Sequence, residues 1–105
     1  MPLNHNRFLI EQEKLRREIN REIMGPAFER LGREELEPLV RLVAAARRDY
    51  IKELLAIAAH HGPAGASGEQ LAALREKREA FADLVVAANA LETVIERGYL
   101  DVELV

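Results

Sequence analysis

Along the chain, apolar positions recur at three-and-four spacing in three stretches separated by two Gly/Pro breaks. That period belongs to amphipathic helices. The first stretch predicts a helix over about residues 6–24, stopped by Gly25–Pro26, because Pro cannot continue a helix and disfavours helical geometry in the residue before it. Asn4 or Asn6 is the expected N-cap, its side-chain oxygen accepting a backbone N–H that the helix leaves free. Ala27–Leu31 has room for one further turn before Gly32. A second helix is expected over about 35–61, beginning near Glu34–Glu37, where the missing N–H of Pro38 costs nothing. Glu34, Glu35 and Glu37 suit the positive end of its dipole, and Gly62–Pro63 ends it. The third is expected over about 67–97. Ser67 and Gln70 have capping-box spacing, and Gly98 is the left-handed closing residue.

The connection between helices two and three is about five residues, so the pair reads as a long antiparallel hairpin. Helix two carries Leu36, Leu39, Val40, Val43, Ala46, Tyr50, Leu54, Ile57 and Ala58 as a broad apolar face. Helix three has a near-heptad seam at Leu74, Phe81, Leu84, Ala88, Leu91 and Ile95. Its middle is more apolar than one seam requires: from Phe81 to Ile95, eleven of fifteen residues are apolar, Val85, Val86 and Val94 among them. A helix apolar on all sides is buried on all sides, and three helices of one chain scarcely surround it. Helix one is the reverse case. It offers a thin stripe of Leu15, Ile19 and Ile23 among charged residues, with Phe8, Leu9 and Ile10 as the expected anchor at its start.

The fold class is therefore all-α: one helical domain over 1–105, a three-helix chain dominated by the hairpin, assembling into a dimeric, coiled-coil-like bundle. The interface is assigned to Phe81, Leu84, Val85, Val86, Ala88, Asn89, Leu91, Val94 and Ile95. Asn89, the polar interruption of this run, is read as a solvent-facing position, a register-setting residue or a ligand contact. Tyr50 can bury its ring while its hydroxyl seeks a partner. The tail over 99–105 alternates Leu100, Val102 and Leu104 with acids. It is expected to fold back over the end of the hairpin, or else to add as an extended strand to a protein partner or second copy.

Composition narrows the chemistry. The chain has 105 residues, a formal net charge of −3 and no Cys. Disulfides, thiolate nucleophiles and cysteine metal sites are excluded together. The basic clusters Arg16, Arg17, Arg21 and Arg47, Arg48, Lys52 are interleaved with Glu13, Glu18, Glu22 and Asp49, Glu53. They read as solvated faces rather than a phosphate-tracking surface, which needs a net positive field. His60 and His61 have no Glu one turn earlier. As neighbours on a helix they point about 100° apart, so they read as residues at a helix end rather than metal ligands. Ser67 reads as a cap, and Thr93 has no neighbouring base. No cofactor and no catalytic residue are expected.

The start Met1–Arg7 lacks the pattern of a secretory leader, and no apolar run approaches the ~20 residues of a membrane span, so the expected location is the cytoplasm. Arg outnumbers Lys twelve to three, a composition that fits a GC-rich bacterial source. The expected function is a non-catalytic helical interaction or regulatory module that self-associates. The alternatives are a small-ligand or metal-binding bundle using His60 and His61, and a nucleic-acid-associated helical protein.

Overall fold

The computed structural model describes residues 2–28 and 31–103, with side-chain surroundings described from Asn4 onward. Among the described residues it is all-α, with three helices: α1 (Pro2–Met24), α2 (Arg33–His60) and α3 (Gly68–Glu96). A 3-10 turn, Gly25–Ala27, follows α1. Among the described residues the only strand-like features are two isolated bridges, Gly32 with Glu103 and Gly62 with Gly65. The chain divides into two compact units, one of residues 1–35 with 90–105 and one of residues 36–89.

The second unit is the helical hairpin. Its ends are set by local chemistry. The Gly65 N–H donates to the Gly62 carbonyl at 3.0 Å, and Gly65 takes φ +97°, so the chain turns within four residues. Ser67 and Gln70 then form the expected reciprocal cap. The Gln70 N–H donates to Ser67 Oγ at 3.1 Å, and the Ser67 N–H donates to Gln70 Oε1 at 2.9 Å. The same Gln70 donates through Nε2 to the His60 carbonyl at 3.3 Å, tying the start of α3 to the end of α2. Further along, the Tyr50 ring lies 6.1 Å from that of Phe81, and the Arg47 guanidinium sits 5.3 Å from the Phe81 centroid. In α2, Leu36, Leu39, Val43, Ala46, Tyr50 and Ile57 are half-buried, while Val40, Leu54 and Ala58 of the expected face are exposed. In α3 the seam residues Leu74, Phe81, Leu84 and Ala88 are all half-buried.

Among the described residues the buried ones, Leu31, Tyr99 and Leu100, all lie in the first unit. α3 ends here in a Schellman closure. The Gly98 N–H donates to the Ile95 carbonyl at 3.1 Å and the Tyr99 N–H to the Val94 carbonyl at 3.0 Å, with Gly98 at φ +72°. Over residues 99–103 the tail runs back beside Leu31 of this same unit. Tyr99 and Leu100 are each 6% exposed, and the Glu103 N–H donates to the Leu31 carbonyl at 2.9 Å. Leu104 and Val105 lie outside the described residues.

Three local expectations are corrected. α1 begins at Pro2, so Asn4 and Asn6 are inside the helix and neither is its N-cap; Pro at the first helical position arrives with φ already set. The extra turn over Ala27–Leu31 is replaced by the 3-10 turn, after which Phe28 is extended at φ −132°, ψ 107°; Glu29 and Arg30 lie outside the described residues. α2 begins at Arg33, which puts Pro38 inside the helix rather than in its free first turn. The earlier start is held by a half capping box, in which the Gly32 N–H donates to Glu35 Oε2 at 2.8 Å. That bond satisfies an N–H at the helix start that would otherwise lack a partner within the helix.

Candidate functional site

The residues assigned to the interface divide between the two units. Phe81, Leu84, Val85 and Ala88 are half-buried in the hairpin unit; Leu91, Val94 and Ile95 are half-buried in the other. Val86 is 69% exposed, and Asn89 is also exposed. Neither α2 nor α3 contains a single buried residue. The reason is geometric: one helix covers one side of its neighbour, and the remaining sides of an all-round apolar segment stay open. Val40, Leu42, Ile51, Leu54 and Leu55 of α2 are likewise 45–65% exposed.

α1 departs from expectation in a way that matters more. Phe8, Leu9 and Ile10 do not anchor it; they are 67, 58 and 67% exposed. The helix attaches instead through charged side chains near its C-terminal end. Arg17 donates through Nε and Nη2 to the Arg97 carbonyl, each at 3.4 Å. Arg21 donates through Nη1 to the Gly98 carbonyl and through Nη2 to Asp101 Oδ2 at 3.2 Å. These carbonyls end α3 and carry the negative end of its dipole, so two guanidinium groups there are favourably placed. Asn20 and Met24, on the same side of α1 as Arg17 and Arg21, are half-buried. The apolar stripe of Leu15, Ile19 and Ile23 points the other way, 42–69% exposed.

The chemical candidates take structural places. His60 is the last residue of α2 and is exposed. His61 Nδ1 lies 2.8 Å from the Gly62 carbonyl oxygen, so the ring is turned onto the turn that ends α2. Among the described residues no three His, Asp or Glu side chains gather as a metal-binding group. Ser67 Oγ is engaged in its cap. Arg16 pairs with Glu13 at 2.8 Å and Arg48 with Asp49 at 3.0 Å. The surface depressions along α1 (Phe8, Glu11, Leu15, Glu18) and beside Tyr50 (Leu71, Leu74, Arg75, Arg78) are open grooves with no His in their linings. Among the described residues, no helix is long and apolar enough to cross a membrane.

What the geometry offers is therefore surface. The molecule presents apolar helix faces of known position, edged by charge. The composition of α3 is enough to place its face. The attachment of Arg17 and Arg21 to the end of α3 has no such signal, since nothing local in Arg16–Arg21 names a partner some eighty positions away. Comparison with known proteins adds no constraint: no family model matches the chain, and neither a curated protein nor a solved structure does.

Proposed function

We propose that this chain is a small, non-catalytic helical interaction or regulatory module that self-associates, in the first instance as a dimer, and works in the cytoplasm. One observation carries the reading: the two longest helices contain no buried residue, yet expose Val40, Leu55 and Val86 at 62–69%. Apolar surface gains roughly 25 cal/mol per Å² on leaving water. Contiguous exposed apolar surface on a folded chain is a mark of protein contact. A second copy supplies an equivalent face at no cost in sequence, and closed pairs are the commonest outcome of such self-complementarity.

Val86 is the discriminating position. Its exposure within the chain means that Val86→Glu leaves the hairpin's own packing untouched, while placing an unpaired charge in any dry contact made by this face. The variant is expected to keep the far-UV circular dichroism of the wild type and to elute from a sizing column with light-scattering detection as a smaller species. If Val86→Glu and the wild type share one mass in that experiment, this face of α3 is not the interface.

A further inference from the structure

A charge-coded contact between copies can be read from α1 and α2. At about 100° per residue, Phe8, Leu15, Ile19 and Ile23 fall within about 80° of one another on α1. Three exposed acids, Glu11, Glu18 and Glu22, line one flank of that stripe. On α2, the side turned roughly 120° from the residues facing α3 carries Val40, Ala44, Ile51 and Leu55, all exposed. Three exposed bases, Arg41, Arg48 and Lys52, line one flank of it. Both triplets have the same spacing, seven residues and then four.

Their handedness matches as well. Looking down each helix from its N-terminus, the acids sit to one side of the α1 stripe and the bases to the opposite side of the α2 stripe, each displaced by about 70–75°. Two helices laid face to face in parallel bring opposite flanks together, whereas an antiparallel pair joins like flanks. The order of spacing also fits parallel alignment only, since reversal would set four-then-seven against seven-then-four. In that parallel register the start of α2 would lie about 32 Å back along α1 from Met24, farther than an eight-residue connection opening with a 3-10 turn can reach, so the pairing calls for a second copy.

We infer that the apolar stripe of α1 (Phe8, Leu15, Ile19, Ile23) docks in parallel on the Val40–Leu55 side of α2 of a second copy, with Glu11, Glu18 and Glu22 facing Arg41, Arg48 and Lys52. This rests on the self-association proposed above and adds a contact distinct from the α3 face. The local ion pairs of Arg41 with Glu37 and Arg48 with Asp49 leave these arginine side chains 77 and 64% exposed. Such surface pairs are weak and exchange readily. The opposite face of α1 is occupied by the hydrogen bonds of Arg17 and Arg21, so the stripe is the side left to offer.

The test uses two full-length charge-reversed chains. One carries Glu11→Lys, Glu18→Lys and Glu22→Lys; the other carries Arg41→Glu, Arg48→Glu and Lys52→Glu. Each alone is expected to associate at least tenfold more weakly than the wild type in sedimentation velocity at low salt. Mixed one to one, they are expected to recover association, because each offers the sign the other lacks. The wild-type association is also expected to weaken with added salt, as exposed pairs are screened. Circular dichroism of each chain checks folding, and recovery on mixing shows that neither loss was misfolding. A wild type that associates while both variants associate equally well, or fail to recover on mixing, overturns the α1–α2 contact and leaves the α3 reading standing. A wild type that stays monomeric overturns both.

Discussion

Two single positions carry more structural consequence than their size suggests. Tyr99 is 6% exposed, and among the described residues its hydroxyl has no hydrogen-bond partner. A buried unsatisfied polar group costs about 1–3 kcal/mol. Tyr99→Phe keeps the ring and removes that cost, so it is expected to raise the thermal midpoint; a clear fall in the midpoint would mean that the hydroxyl is partnered. Gly32 is constrained by space rather than by backbone angle. A Cβ there would lie 2.6 Å from the Glu103 carbonyl oxygen, a backbone atom of the residue whose N–H donates to the Leu31 carbonyl. Gly32→Ala is expected to cost about 1–3 kcal/mol, the usual range for forced overpacking, and to accelerate amide exchange at Glu103. Unchanged exchange at that amide would show that the tail does not bear on Gly32. By contrast Gly25, Gly62 and Gly68 have nothing near an added Cβ.

At the scale of elements, the ends of helices and their attachments decide the structure. The Ser67–Gln70 cap starts α3 and, through Gln70, holds the end of α2. Ser67→Ala is expected to cost about 1 kcal/mol, measured by urea denaturation. Arg17 and Arg21 act at the other end of α3, where cations near the terminal carbonyls contribute about 0.3–1 kcal/mol each at low salt. Arg21→Ala is expected to destabilise by that order, and the difference from wild type should shrink as salt rises; a salt-independent loss would point to packing of the side chain instead. The seam of α3 and the closures at Ser67 and Gly98 are legible in the sequence because each is a local pattern with one physical solution. The start of α2 is harder to place because Pro38 competes with Gly32 and Glu35, whose three-residue spacing also carries a cap signal. Phe8–Ile10 has the composition of an anchor without being one, because hydrophobicity alone does not say which face of a helix meets its neighbour; on α1 the arginine side does. The assignments on Leu104 and Val105 fall outside the described residues.

For the molecule as a whole, the decisive feature is where burial is missing. Among the described residues the buried apolar ones are Leu31, Tyr99 and Leu100, all in the unit formed by the chain's two ends, and none lies in α2 or α3. Folded domains depend on apolar burial to offset the conformational entropy of ordering, and two helices of 28 and 29 residues without a buried side chain have little of it within one chain. Under the proposed self-association, burial between copies supplies the remainder, which makes stability and association one property. Thermal midpoints are accordingly expected to rise with protein concentration. The most direct measurement is sedimentation equilibrium of the unmodified 105-residue chain across a range from about 1 to 100 μM, concentrations that bracket typical specific association. Self-association predicts a mass at the upper end of at least twice the 11.8 kDa of the single chain. A mass of 11.8 kDa throughout, with helicity intact, would contradict it.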